Sequence, residues 1–501
     1  MGARTGREFL KGLSKPREVW VGNDKVSDIT AHPAFAGAAN TLAQIFDLQH
    51  QARAVCLMPD PDTGEPINLS HMIPRSRADL ERRHACLQTI AEFTVGLMGR
   101  TPDYMNVTFA GFAGRADEWA VNGNELGATN LVAYQKLLAR KDLSLTHTIV
   151  HPTIDKAKGD VPEPGNDVAL HKVADTAHGI VVRGARILAT LAPFADEIAV
   201  YPAVPLLAGT DEYALSFCVP MDTPGLKFIC RDSCATPNNR FDHPLSSRFD
   251  EQDAFVIFDD VEVPRDRVFI DANLVAYNTV MATGWYPNIM QQTMIRAQTK
   301  LEFAYGLANR MAEAINDFSP ATRQMLGEIW TYAEFTRAAI HSAEVESFEY
   351  GNGVWFPDGG PLAALRAALP TWFPRVGEII TLLGSHNLLA APTQAQLDDP
   401  KLRPLIDRYL RGAGAMNAEE RARIFRLAWD FVGSALASRN QLYERFYLAS
   451  AARNYQLANA LAPKERALRL VDELLGVAPH EPARSDSKIM GLPRNPADYK
   501  R

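Results

Sequence analysis

The amino-acid pattern predicts an α+β chain in three consecutive parts. Residues 1–140 carry apolar side chains mostly at helical spacing. Residues 141–275 switch to short alternating and β-branched runs, and residues 276–501 return to helical spacing and end in an extended tail. The gaps between the β runs are too short for helices. A doubly wound parallel sheet is therefore excluded, and a barrel or sandwich is expected.

Composition sets the outer limits. The chain has 501 residues, 47% of them hydrophobic, enough for two or more domains. Charged residues make up 22%, the net charge is -7, and no Lys/Arg run marks a nucleic-acid or anionic-membrane surface. No apolar run reaches the ~18 residues of a membrane span. Met1 to Leu13 holds no apolar signal core. The five cysteines, Cys56, Cys86, Cys218, Cys230 and Cys234, are irregularly spaced with no CxxC, and no His or Cys completes a metal site around them. A reduced, cytoplasmic protein without a metal is expected.

In chain order, "HPAFAGAANTLAQIFDLQH" places Phe35, Ala39, Leu42, Ile45 and Phe46 on a helical stripe. A Pro/Asp/Gly loop follows. Leu80, Leu87, Ile90, Ala91 and Met98 then predict a long helix, capped by Ser76 with Asp79 and ended by Gly99. Two further helices lead to residue 140. "LSLTHTIVHP" alternates, with Leu143, Leu145, His147 and Ile149 on one face. "HGIVVRGARILATLAPFADEIAVYP" reads as short strands turning at Gly179 and Gly184, and "EYALSFCVPMDTPGLKFICR" as strand, turn, strand. A β-rich run ends at Pro264. The last part predicts long helices, one of them broken by Pro370 and Pro374. The tail after Val477, with Pro479, Pro482, Pro493 and Pro496, reads as an extended arm.

The stretch Gly99-Arg100-Thr101-Pro102-Asp103-Tyr104 breaks one helix and starts another, since Pro suits a first helical position. It carries a permanent cation and a phenol four residues apart, which suits an anionic oxygen on a ligand. By residue types alone, a capped helix with Arg100 paired to a surface acid is the more ordinary account. His147, by itself, is equally an ordinary core histidine on the apolar face of a strand, and His151 reads as structural.

The order of helices, strands and helices resembles the acyl-CoA dehydrogenase architecture: an N-terminal helical domain (1–140), a central β-barrel (141–275) and a C-terminal helical bundle with its tail (276–501). Six blocks sharpen this, among them "DLERRHACLQTIAEFTVGLMGRTPDYMNV", "LTHTIVHPTIDK", "GIVVRGARILATLAPFADEIAVYP" and "SRNQLYERFY". Together they resemble the oxygenase component of two-component 4-hydroxyphenylacetate 3-monooxygenases.

The resemblance implies ortho-hydroxylation of a phenol by reduced FAD and dioxygen through a flavin hydroperoxide. The FAD is non-covalent and comes from a separate NAD(P)H-dependent flavin reductase. Arg100, Tyr104 and His147 match the catalytic cluster at the substrate oxygen, where they favour phenolate, with His147 as base. Thr101, Pro102, Asp103, Ala203 and Val204 match substrate-lining positions. At Ala203 and Val204 the usual small hydroxyl residues are replaced, which implies a more apolar pocket. His147, Thr153, Ile154, Asp155, Lys156, Thr190 and the turn Ser438-Arg439-Asn440-Gln441 match the flavin site, with Lys156 and Arg439 meeting pyrophosphate charge. No GxGxxG follows a strand, so this is not a Rossmann site. A homotetramer built on the C-terminal helices is implied too. Halophenol and nitrophenol monooxygenases of the same family are the alternative. The dehydratase branch needs three Cys and one His on an iron–sulfur cluster, and "GRTPDYMN" and "WYPNIMQQTMIRAQTK" contain neither residue. A true acyl-CoA dehydrogenase is a more distant alternative.

Overall fold

The computed structural model describes residues 2–158, 161–236, 239–281 and 285–478. Helices Ala36–Gln51, Arg77–Phe93, Pro102–Gly114 and Glu125–Lys141 dominate the N-terminal part. The stripe Phe35, Ala39, Leu42, Ile45 and Phe46 is buried throughout. Ser76 caps its helix as expected, its hydroxyl accepting the Asp79 N–H at 3.2 Å.

Two glycines act differently from expectation. The Arg77–Phe93 helix stops at Phe93, short of Gly99, and Val95 (φ 47°) and Gly96 (φ 69°) turn the chain. Gly99 is small because a ring lies against it: a Cβ there would sit 1.9 Å from the Tyr443 hydroxyl. Gly184 makes no turn either. It lies inside one continuous strand, Gly179–Thr190, with φ 115°, where a Cβ would meet the Ala169 carbonyl oxygen at 2.5 Å.

The central strands form two sheets. A six-stranded sheet runs Asp24–Lys25, Glu18–Val21, Leu226–Cys230, Asp253–Pro264, Gly179–Thr190, His171–Asp175. A four-stranded sheet runs Val268–Ile270, Ser216–Pro220, Glu197–Val200, Leu145–Thr148. Ile180, Val182, Phe228 and Val256 of the first share one core with Ile198, Val200, Phe217 and Val219 of the second. The bridge Val150–Ile187 marks a seam between them. Glu18–Val21 pairs parallel with Leu226–Cys230, so a strand from the N-terminal end lies within the central sheet.

Helices Trp285–Ile315, Pro320–Val345, Gly359–Gly384, Ala418–Val432 and Ala435–Phe446 build the C-terminal core around Leu301, Ile329, Ile379 and Phe425. Pro370 and Pro374 do not break their helix, which runs on to Gly384. Pro370 cannot donate to the Arg366 carbonyl, and the Asn454 side-chain amide donates to it instead at 3.1 Å. Among the described residues no helix is long and apolar enough to cross a membrane. The Pro-rich tail from residue 479 lies outside the described residues.

Replacing Asn454 with Leu should strand the Arg366 carbonyl and lower the unfolding free energy by about 1–3 kcal/mol. Urea denaturation measures this; an unchanged midpoint would show that the helix tolerates Pro370 unaided.

Candidate active site

Arg100 is surrounded by aromatic rings. It precedes the Pro102–Gly114 helix, where Pro102 takes the first position as expected. Its guanidinium lies 4.1 Å from the Tyr104 ring centre and 5.4 Å from those of Tyr443 and Tyr447. Nη1 donates to the Tyr443 hydroxyl at 2.8 Å and to the Gly99 carbonyl at 3.3 Å. Tyr104 stacks on His147 at 5.3 Å, and His147 on Tyr201 at 5.5 Å. A cation, two phenols and an imidazole thus form one column from the first helical part into the sheet. His147 is in the strand Leu145–Thr148, all four residues of which are buried.

Two acids that the sequence reading did not single out hold this column. Glu251 is fully buried. Its carboxylate accepts the Arg100 backbone N–H at 2.7 Å and Arg439 Nη1 at 2.9 Å. Asp253 accepts Arg439 at 2.8 and 2.9 Å, Arg231 at 3.0 Å and the Thr190 hydroxyl at 2.7 Å. Arg100, Thr190 and Arg439, taken from three distant parts of the sequence, therefore meet through Glu251 and Asp253. The available signal was weak: a short acidic run, Asp250, Glu251 and Asp253, just before an apolar strand, which reads as an ordinary solvated turn. Tyr443 and Tyr447 were also missed. They stand one helical turn apart and stack at 4.4 Å.

The other expected positions separate into groups. Ser438, Arg439, Asn440 and Gln441 are not a turn; they lie within the helix Ala435–Phe446. Ser438 and Gln441 face out, while Arg439 and Asn440 point inward. Arg439 is committed to Glu251 and Asp253, so Lys156 is the exposed cation of the expected flavin set. Thr153, Ile154 and Asp155 line a cleft of about 330 Å³ with Asn166 and Asp167. Ala203 and Val204 are half-buried beyond Tyr201. Thr101 and Asp103 are buried, and Asp103 accepts from Gln292 at 2.9 Å. Among the described residues no cluster of His, Cys, Asp or Glu has the makings of a metal site.

Electrostatics follow from burial. Burial and the Arg100 cation hold His147 well below the ordinary imidazole range. Burial and Arg186 push His151 down to about 2. Burial works against the Arg100 charge, but Tyr104, Tyr443, Tyr201 and Glu251 outweigh it and keep the cation. Burial would raise Asp253; Arg439, Arg231 and the Thr190 hydroxyl outweigh it and bring it to about 2. The site therefore holds a fixed cation beside a neutral imidazole.

Residues 5–270 match the family model described as 4-hydroxyphenylacetate 3-hydroxylase N terminal, and residues 276–476 match its C-terminal counterpart. The oxygenase component of a 4-hydroxyphenylacetate 3-monooxygenase from Thermus thermophilus is 38% identical over 466 residues, covering 92% of this chain and 95% of that one. A crystal structure of such an oxygenase component, complexed with FAD and 4-hydroxyphenylacetate, superposes with a TM-score of 0.89 at 37% identity, covering 95% of this chain and 98% of that one. A 4-hydroxybutyryl-CoA dehydratase from N. maritimus superposes at 0.86 with 17% identity, covering 97% of each chain, a likeness of fold.

Two outcomes are expected. Replacing Glu251 with Gln leaves Arg439 and the Arg100 backbone poorly matched inside the protein and should cost about 3–5 kcal/mol. Denaturant unfolding checks it, and a loss near zero would remove Glu251 as the hub. The second concerns pH. Unfolded imidazoles take a proton below ~6.5, whereas folded His147 and His151 do not. The unfolded state then binds more protons, so stability is full above that pH and falls as pH drops through it. Replacing both with Gln should flatten the stability curve between pH ~6.5 and the carboxylate range near ~4. A curve of unchanged slope would mean that they are not held neutral.

Proposed function

Since the chain belongs to the 4-hydroxyphenylacetate 3-hydroxylase family, we propose that it is the oxygenase component of a two-component flavin monooxygenase that ortho-hydroxylates a phenol. The observation that carries this reading is the Arg100–Tyr104–His147 column. It offers a fixed cation, a phenol hydroxyl and a neutral imidazole within one buried wall.

Each residue has a task in this reading. Arg100 spends its backbone N–H on Glu251 and Nη1 on Gly99 and Tyr443, and its Nε and Nη2 groups have no acceptor among the described residues. They are free to hold a phenol oxygen and favour its ionised form. Tyr104 adds a hydrogen bond to the same oxygen. His147 is neutral and can accept the phenol proton. Tyr201 closes the column behind it and keeps water out. A phenolate so held is electron-rich at its ortho carbons, where hydroxylation occurs. Thr101, Pro102 and Asp103 support the wall, with Ala203 and Val204 as its apolar far side.

The donor set fits FAD. Thr153 offers a hydroxyl, Ile154 an apolar surface left 75% exposed beside the cleft, and Lys156 an exposed cation. Thr153, Ile154, Asp155 and Lys156 would hold it together with His147 and Thr190, and with Ser438, Asn440 and Gln441 of the Ala435–Phe446 helix. Arg439 would act by fixing that helix to Asp253. When bound, reduced FAD and dioxygen supply the inserted oxygen atom and the electrons that take the second oxygen to water. A separate NAD(P)H-dependent reductase would supply the reduced FAD.

The same reading takes the chain as three units, to about 140, 141–275 and from 276. The break between the two matched stretches, at 270 and 276, supports the second division. It takes the two sheets as the counterpart of the acyl-CoA dehydrogenase barrel. A cytoplasmic homotetramer completes it. The helix Glu465–Leu475 supports that assembly, since it leaves Leu468, Leu470, Val471, Leu474 and Leu475 exposed.

The experiment mixes the protein with reduced FAD, dioxygen and a panel of para-substituted phenols, and measures catechol and hydrogen peroxide. Catechol formation from one class of phenol is expected. Arg100→Ala should weaken phenol binding by about 10–100-fold, the loss of a charge-assisted hydrogen bond, or divert the turnover to peroxide. Full retention of coupled product would take Arg100 out of the site.

A further inference from the structure

Arg100 differs from the neighbouring arginines in what holds its head. Arg439 is paired with Glu251 and Asp253, and Arg296 with Glu444. Among the described residues no carboxylate pairs with the Arg100 guanidinium. Glu251 takes the Arg100 backbone N–H instead, at 2.7 Å. Three contacts orient the guanidinium: the Gly99 carbonyl at 3.3 Å, the Tyr104 ring centre at 4.1 Å and the Tyr443 hydroxyl at 2.8 Å. The first two belong to the same short segment as Arg100 and move with it. Tyr443 lies on the helix Ala435–Phe446, 343 positions along the chain, and its hydrogen bond ties the guanidinium to the last helices.

The Tyr443 hydroxyl is itself held in place. The residue is buried, and its oxygen lies where a Cβ on Gly99 would stand, 1.9 Å away. Its ring stacks on Tyr447 at 4.4 Å with the planes 10° apart. The Arg439 and Arg296 guanidinium groups lie 4.9 and 5.6 Å from its ring centre, and their own acids fix both.

Its charge state matters as much as its position. Burial, against the pull of Arg100 and Arg296, holds the Tyr443 hydroxyl well above the ordinary phenol range. It therefore stays neutral and accepts from Arg100 without cancelling the cation. A carboxylate at this place would orient the guanidinium equally well but would neutralise it, and a neutralised cation no longer favours a phenolate. With Nη1 taken by Tyr443, the guanidinium presents the edge formed by Nε and Nη2.

We propose that Tyr443 is a positioning residue for the hydroxylation: its hydroxyl fixes Arg100 so that the Nε–Nη2 edge meets the oxygen of the bound phenol with its charge unspent. This rests on the reading of the site as a phenol-binding one. Tyr443 acts through Arg100.

The probe is 4-nitrophenol, whose neutral and ionised forms absorb at different wavelengths. It is bound to the full-length protein loaded with oxidised FAD, and the absorbance of the bound probe is followed across pH. Wild type is expected to ionise the bound probe at a lower pH than free solution does. Tyr443→Phe keeps the ring, its stacking and its cation contacts, and removes the hydroxyl alone. It should raise the midpoint by about one pH unit, a tenfold loss in the ionisation constant. FAD affinity and the unfolding midpoint should stay near wild type. The other charged and titratable groups around the column, Tyr104, His147, Tyr201, Glu251, Arg439 and Tyr447, are common to both proteins, so the difference belongs to the hydroxyl.

A midpoint that Tyr443→Phe leaves unchanged overturns the proposal and leaves the phenol reading standing. So does a tenfold loss of FAD affinity accompanying the shift, which would make Tyr443 a structural residue of the helix. Should Tyr443→Phe not fold, Gly99→Ala carries the test. Its methyl displaces the hydroxyl from the guanidinium, the same rise is expected, and an unchanged midpoint overturns the proposal. Wild type that does not bind 4-nitrophenol, or binds it without lowering the midpoint, overturns this proposal and the phenolate reading of the site together.

Discussion

The carboxylate pair Glu251 and Asp253 is the constraint on which the site depends. Two residues apart at the entry to one strand, they hold the Arg100 backbone, the Arg439 guanidinium, the Arg231 guanidinium and the Thr190 hydroxyl. Each partner comes from a different segment, so the pair fixes the first helical part, the sheet and the last helices relative to one another. Such a network is expensive to bury. It persists because both acids are matched by cations and by hydrogen bonds. Its value lies in geometry more than in stability, since it holds the Arg100 backbone and leaves the side chain to be aimed by Tyr443, the Gly99 carbonyl and the Tyr104 ring.

That aim requires close approach. Tyr443 reaches Arg100 only because Gly99 has no side chain, and Tyr443 is itself braced by stacking on Tyr447. At the next residue of the same helix, Glu444 binds Arg296 at 2.6 Å and Lys300 at 2.9 Å on the long Trp285–Ile315 helix. Burial would raise Glu444, but the two cations outweigh it and bring it to about 2. The helix carrying Tyr443 is therefore clamped on both sides, by Asp253 through Arg439 and by Arg296 and Lys300 through Glu444. A cation held on so rigid a support can meet a developing oxyanion without rearrangement, which is the physical basis of electrostatic preorganisation.

Local pattern was a good guide wherever local forces decided the outcome. The Ser76 cap, the buried stripe from Phe35 to Phe46 and the start of a helix at Pro102 all follow from side chains within a few residues of one another. It failed where a distant partner intervened. Pro370 reads as a helix breaker, yet Asn454, far along the chain, takes the orphaned carbonyl and the helix continues. Gly184 reads as a turn, yet it serves a close backbone contact inside a strand. Glu18–Val21 is too short to stand out until Leu226–Cys230 offers it an edge.

The sequence by itself determined the succession of helices, strands and helices. The blocks that carry the resemblance also brought Arg100, Tyr104 and His147 forward as a group. Hydrophobic period and cap chemistry are short-range, and a block of identical residues survives reading in one dimension. Only the tertiary structure decided how those residues are held. Glu251, Asp253, Tyr443 and Tyr447 have unremarkable neighbours in the chain and acquire their roles from burial against residues up to hundreds of positions away. The same holds for Arg186, an ordinary strand arginine until folding removes its surface and leaves it without an acid among the described residues. Desolvation and ion pairing depend on three-dimensional distance, and the sequence does not contain that distance.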